Sequence, residues 1–322
     1  MAAPNLHGVL VIDKPIGPTS HDVVARLRKV LDTRAIGHAG TLDPAATGVL
    51  VVAVGEATKL SPYLTSQTKE YRAVIRFGTS TATLDADGDV VATGPVPDEL
   101  TAELRALAST DPAALREETA PGIARALGVE RARSEQLPPA FSAIKTNGRA
   151  AHELARQGKE VPLAPRQVAV SRITITDATP ECLGLSLVVS KGFYVRSLAR
   201  DVGQTLGVLS HLASLRRVAS GTFTLVEALP LSATRAELER GLESVERAAA
   251  RVLPASRLSD EGEERARHGK LLFEAHFVEP PAPEISAWFG QGGQLVAIGG
   301  PAANGGYAVA RGFRYPTSTA ST

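Results

Sequence analysis

A chain of 322 residues, 43% hydrophobic and 21% charged, has the composition of a globular protein with room for a large domain and a smaller second one. The single cysteine, Cys182, excludes a disulfide framework and a cysteine zinc cluster; no apolar run reaches the ~20 residues of a membrane span, and the N-terminus reads as no secretory signal, so a reducing cytoplasm is expected. A net charge of +1 excludes blanket attraction to nucleic acid, leaving only a local basic face to meet a polyanion.

Residues 8–13 (GVLVID) and 49–54 (VLVVAV) are short, β-branched and bounded by turn residues, which predicts buried strands. Between them, Ser20 or Asp22 is expected to cap a helix over 21–32. The stretch 37–50, GHAGTLDPAATGVL, then places one carboxylate, Asp43, in a glycine-rich loop that runs directly into the second strand. Glycines at 37, 40 and 48 permit close approaches, and Pro44 fixes the chain after Asp43 and removes an amide donor. A lone Asp-Pro is ordinarily a turn whose aspartate bonds its own backbone, so the loop alone does not establish chemistry.

Residues 71–77 alternate as a half-buried strand and lead to the turn Asp85-Ala86-Asp87-Gly88. Residues 98–131 are helical in pattern with little punctuation, which predicts an inserted hairpin or flap. Strands follow at 167–176 and 183–190, then KGFYVRS (191–197) and a helix over 196–207 with Leu198, Val202 and Leu206 on one side. Beyond a charged helical stretch at 235–251, glycine pairs separate short strands such as QLVAIG and YAVARGF, and the tail PTSTAST is expected to be disordered. Strands and helices mix without βαβ alternation, which predicts an α+β fold: a mixed, mostly antiparallel sheet flanked by helices, plus a small C-terminal β domain. The expected division is 1–250, with an inserted segment at about 95–150, and 251–322.

Basic residues gather in two sets. Lys145, Arg149, Arg156, Lys159, Arg166 and Arg172 are interrupted only by Glu153 and Glu160, and the second set is Lys191, Arg196, Arg200, Arg216 and Arg217. Charge runs are ordinarily solvated surface, so these sets only mark where phosphates are to be sought.

Five blocks occur in one order along the chain: DKPIGPTSHDVV (13–24), GHAGTLDPAATGVL (37–50), KEYRAVIRFG (69–78), QLPPAFSAIKTNGRAAHELARQG (136–158) and KGFYVRSLARDVG (191–203), the last followed by HLASLRR (211–217). The second block resembles the aspartate motif of the TruB family of tRNA pseudouridine synthases, and the others agree with that family over roughly residues 8–225. The resemblance implies the pseudouridine synthase fold with a small C-terminal RNA-binding domain of PUA type. It also implies isomerisation of the T-loop uridine of tRNA, position 55 by tRNA convention, recognised without a guide RNA; from the residues themselves a monomer is expected, with no cofactor, metal, membrane or obligatory protein partner. Residue by residue, it makes Asp43 the catalytic carboxylate, Arg196 its guanidinium, and Tyr71 the ring that stacks on the extruded uracil and can move a proton. Tyr194 and Leu215 are implied to line the pocket, and His38 to fill the space the base vacates or to touch the RNA backbone. Lys14 is placed on the substrate side as a brace of the loop, with Pro15 and Ser20-His21-Asp22, while Lys145 and Arg149 are candidate phosphate contacts in the T-arm stem-loop.

Uridine becomes pseudouridine when the bond from N1 to C1′ breaks, the base turns and C5 is joined to C1′. A carboxylate starts this as a nucleophile at C1′, as a base on the C2′ proton or as a stabiliser of an oxocarbenium-like species, and the residues alone leave the three open. A base stacked in an RNA loop must be extruded and held by its face, which calls for an aromatic platform. A carboxylate working at neutral pH needs help to stay ionised in a closed pocket, the service expected of Arg196. His21, His38, His152 and His211 lack metal-ligand spacing, so no zinc is expected. The chain departs from the family at Ala39, where threonine is frequent, at His152, where tyrosine or phenylalanine is frequent, and in a longer 98–135 segment. Competing readings are a guide-dependent rRNA pseudouridine synthase, an RNA-binding tRNA-folding factor and a nucleoside glycosidase. The last wants a second carboxylate, with Asp85 and Asp87 near by in sequence.

Overall fold

The computed structural model describes residues 6–111, 114–141, 145–146, 149–150, 163–303 and 305–314. His152, Arg156, Lys159 and the tail PTSTAST lie outside the described residues, as do the side chains of Lys145 and Arg149.

The fold is organised by a nine-stranded mixed sheet whose main path is β5-β6-β4-β7-β3-β1-β8. The strands are β1 (Gly8–Lys14), β2 (Ile36–His38), β3 (Ala46–Val54), β4 (Lys69–Phe77), β5 (Val170–Thr179), β6 (Cys182–Val189), β7 (Ser210–Ser220) and β8 (Leu229–Pro230). β2 adds to the side of β3, and a ninth short strand, Phe223–Thr224, adds to β7. Pairing is antiparallel except for β7 with β3 and β1 with β8.

β1 and β3 read as unbroken apolar runs because both their faces are covered. Leu10, Ile12, Leu50, Val52 and Val54 join one core, with Val23, Val24, Leu27 and Leu31 of helix α1 (Ser20–Leu31). Val9, Val11, Val49, Val51 and Ala53, which alternate with them, join a second core on the opposite face. β4 is covered on one side only: Tyr71, Ala73, Ile75 and Phe77 are buried while Arg72 and Arg76 are exposed.

Two local expectations change. Helix α1 is capped by Thr19, whose hydroxyl accepts from the Asp22 amide at 3.1 Å while Asp22 accepts from the Thr19 amide at 2.8 Å. This reciprocal capping box leaves Ser20 free for another task. The 98–131 stretch is two helices, α3 (Asp98–Ala108) and α4 (Pro121–Arg131), after a shorter α2 (Ser61–Ser66). Proline opens α4, and the Glu103 carboxylate accepts from the Gly122 and Ile123 amides at 2.7 and 2.9 Å. Leu100, Leu104, Leu107, Ile123, Ala126 and Leu127 are buried in the main core, so these helices are built into the molecule.

Helix α5 (Val195–Leu206) precedes β7, and α6 (Arg235–Arg240) and α7 (Val245–Val252) precede a separate four-stranded sheet. That sheet runs in order β9 (Ala255–Arg257), β10 (Ser286–Phe289), β11 (Leu295–Pro301), β12 (Tyr307–Gly312). Its own small core centres on Trp288, fully buried and edge-on to Phe277 at 5.3 Å. Its other face supplies Ala287, Leu295, Ile298 and Phe313 to the second core of the large sheet, so the two sheets share apolar contacts.

Candidate active site

The loop from Ala39 to Ala45 joins β2 to β3 and is held by three buried side chains. Ser20, released from capping, donates to the Leu42 carbonyl at 3.1 Å and accepts from the Leu42 amide at 2.9 Å. Lys14, fully buried, donates to the carbonyls of Pro15, Pro18 and Pro44 at 2.9, 2.8 and 3.3 Å. Arg217, 1% exposed, donates to Val49 O at 2.7 Å, Gly40 O at 3.0 Å and Thr41 O at 3.4 Å. At Gly48, where φ is +100°, a side chain would overlap the Arg217 carbonyl, so glycine lets β3 lie against β7. Residues on both sides of Asp43 are therefore fixed before a ligand arrives.

Asp43 meets Arg196, which the first turn of α5 carries at 5% exposure. Arg196 Nε lies 3.0 Å from Asp43 Oδ2, although that N–H is not aligned as a hydrogen bond. Such contacts commonly tighten only when substrate binds. The rest of the guanidinium is engaged: Nη1 donates to Thr83 O at 3.0 Å and lies 3.5 Å from Asp85 Oδ2, and Nη2 donates to Phe141 O at 2.9 Å. Asp85 is itself buried, next to Leu84 in a left-handed conformation with φ 63°, whose carbonyl accepts from the Leu212 amide at 3.0 Å. A strained non-glycine residue tied to the central strand fixes where Asp85 points its charge.

The ion pair is as expected, but its effect on Asp43 is not. Burial raises the Asp43 pKa above the ordinary carboxylate value; Arg196 and Lys14 pull it down, and Asp85 and Asp87 push it up again. The result is a carboxylate more basic than a surface aspartate.

Asp43, Tyr71, Tyr194, Arg196 and Leu215 all line one cleft of about 240 Å3. Tyr71 comes from β4 and is largely buried, as a ring that forms a wall must be. Tyr194 sits just before α5, its backbone pinned in both directions by the Gln136 amide at 2.8 and 3.1 Å. Lys14 is placed differently from a substrate contact: with no exposed surface, it braces Pro44 from behind. His38 is not part of the cleft lining; it packs edge-on against His21 at 5.2 Å, and burial, His21 and Arg217 lower its pKa, which favours the neutral ring. Lys145 and Arg149 sit on facing strands of a two-residue hairpin, with their side chains outside the described residues.

Three residues of this region carry charge whose place in the site the sequence did not give. Asp85 reads there as part of a turn and as a second carboxylate for a glycosidase only, Lys69 appears only in the block ahead of the 71–77 strand, and Arg217 is one of a basic set. The spacing of Lys69 and Tyr71, two apart on one strand and so on one face, was the available signal for Lys69. Among the described residues, no group of three histidine, cysteine, aspartate or glutamate side chains is arranged to hold a metal, and no helix is long and apolar enough to cross a membrane.

In solved structures the same architecture occurs in a Cbf5-Nop10-Gar1 complex, with a TM-score of 0.69 and 24% identity over 95% of this chain and 84% of that one. A second is an H/ACA RNP bound to a substrate RNA containing 2′-deoxyuridine, with a TM-score of 0.65 and 23% identity over 96% and 85%. Among sequences, a protein of Mycobacterium sp. (strain KMS) named tRNA pseudouridine synthase B is 42% identical over 276 residues, 82% of this chain and 84% of its own. One of the same name from Arthrobacter sp. (strain FB24) is 38% identical over 313 residues, 94% and 95% of the two chains. The profile of the TruB family pseudouridylate synthase N-terminal domain matches residues 28–110 and 101–195, a span that carries Asp43, Tyr71, Asp85 and Tyr194. With the fold, the length of the match and the aspartate loop in agreement, the chain belongs to the TruB family of pseudouridylate synthases.

Proposed function

We propose that this enzyme isomerises the T-loop uridine of tRNA, position 55, to pseudouridine, acting as a cytoplasmic monomer without guide RNA, metal, cofactor or protein partner. The observation that carries the reading is the Arg196–Asp43 ion pair in a cleft walled by Tyr71, on a loop fixed from three sides. The tRNA substrate is supported by the names of relatives that match most of the chain.

The uridine is extruded from the loop, its base lies against Tyr71 and its C1′ faces Asp43. Asp43 initiates cleavage of the bond from N1 to C1′, and its raised pKa makes it a better nucleophile or base than an ordinary aspartate. Arg196 keeps the carboxylate oriented and opposes its protonation, while Asp85 holds the other side of the guanidinium. After the base turns, C5 bonds to C1′, the C5 proton leaves and N1 gains one, so the product is an isomer and no redox partner is consumed. The C5 proton is assigned to Tyr71, a reading supported by its position in the lining of the same cleft. The basic 145–172 segment and the C-terminal sheet, read as PUA-like, hold the T-arm.

The test is tritium release from C5 of labelled uridine in a full-length tRNA transcript, with no metal or cofactor added. Wild type releases tritium and Asp43→Asn does not; binding without release by wild type would overturn the proposed reaction.

A further inference from the structure

Four cations line the cleft, Lys69, Lys191, Arg196 and Arg217, against one carboxylate, Asp43, which is engaged by Arg196. The other three stand together. Burial above all, and then repulsion from Arg217 and Lys191, bring the Lys69 pKa down to about 8. Lys69 and Arg217 are 6% and 1% exposed, so their repulsion is little screened by water. A Cβ on Gly40 would stand 3.7 Å from Arg217 Nη1 and 3.8 Å from Lys69 Cε, so the two side chains converge over a residue that keeps the space between them open.

Lys69 Nζ donates to Thr65 O at 2.7 Å and Gln67 O at 2.5 Å, which leaves one of its three N–H donors uncommitted among the described residues. Arg217 spends its donors on carbonyls, which orient it without cancelling its charge. Buried charges ordinarily persist in pairs, and among the described residues no carboxylate forms an ion pair with Lys69 or Arg217.

We propose that Lys69, with Arg217 and Lys191, forms a subsite for one phosphodiester flanking the extruded nucleotide. The inference rests on the reading of the cleft as a nucleotide site. A ribose placed at Asp43 carries a phosphate on either side, and a flanking phosphate at the Lys69 wall completes the missing pair. The subsite then fixes C1′ over Asp43 by gripping the backbone, independent of the identity of the base. The competing account is that Lys69 only caps the C-terminal end of α2, through Thr65 and Gln67.

The experiment is a double-mutant cycle between protein and RNA. Wild type, Lys69→Met and Lys69→Arg are assayed on a T-arm stem-loop RNA, and on two copies in which the phosphodiester 5′ or 3′ of the target uridine is an uncharged methylphosphonate. Lys69→Met raises KM about tenfold with little change in kcat, and Lys69→Arg restores it. One methylphosphonate costs wild type the same factor and costs Lys69→Met nothing further. Multiplying penalties, or a lower Tm for Lys69→Met with no change in KM, would overturn the subsite and leave the helix cap. The same cycle is read as Kd by fluorescence anisotropy. RNA that is bound but not isomerised by wild type removes the proposed reaction, and the closure of the binding cycle still decides the subsite.

Discussion

Arg196 and Arg217 are both buried in the wall of one cleft and do opposite work. Arg196 faces two carboxylates, Asp43 at 3.0 Å and Asp85 at 3.5 Å, so its charge works against the burial that raises the Asp43 pKa. Arg217 donates to the backbone carbonyls of Gly40, Thr41 and Val49, so its fork sets where the Asp43 loop stands. One side of the site tunes charge and the other sets shape. A substitution on the first side is expected to change rate at constant stability, and one on the second to change stability first.

The largest effect expected is at Asp43 itself. Asp43→Asn lowers kcat by at least about 10⁴-fold, read by tritium release under single-turnover conditions. Because the folded-state pKa of Asp43 is raised, its stabilising contribution is present below the ordinary carboxylate range and lost as pH rises through the folded value. Near neutral pH the Asn variant therefore melts no lower than wild type, and a lower Tm would mean that the ion pair outweighs burial. Next is Arg196→Lys, which keeps the charge and loses the planar fork that reaches Thr83, Phe141 and both carboxylates. A fall of roughly 10²–10³-fold in kcat with KM little changed is expected from steady-state kinetics.

Arg217→Met attacks the other side. It strands three carbonyls, and a loss of about 3 kcal/mol of folding free energy is expected from chemical denaturation, with a weaker fall in kcat than at Arg196. Equal stability in the two variants would erase the distinction between tuning and shaping. The smallest effect is at Asp85. Asp85→Asn removes a charge that raises the Asp43 pKa, so the acidic limb of kcat/KM moves to lower pH. A shift to higher pH would show that Asp85 acts mainly by positioning Arg196.

Some of this was legible in the residues and some was not. The Asp43 loop was legible because glycine and proline restrict the backbone locally, wherever the chain is placed. β1 and β3 were legible as buried strands because apolar runs of that length admit few alternatives. β7 was missed as a strand, although it lies at the centre of the sheet: SHLASLRRVAS lacks alternation because one of its arginines, Arg217, is turned inward onto a loop from elsewhere. The cap of α1, expected at Ser20 or Asp22, is Thr19: Thr19 and Ser20 are alike by propensity, only the Leu42 contact gives Ser20 a different task, and Asp22 serves as the acid of the capping box.

By itself the sequence determined most of the elements, the family and the loop that carries Asp43, because these follow from local backbone restriction, hydrophobic pattern and motif. Only the tertiary structure decided that Asp43 is more basic than usual, that Asp85 shares its arginine, and that Lys14 has no exposed surface. Protonation and exposure depend on desolvation and on charges brought close from distant parts of the chain: Lys14, Asp43, Asp85 and Arg196 come from four separate segments. No spacing along the sequence encodes the distances between them.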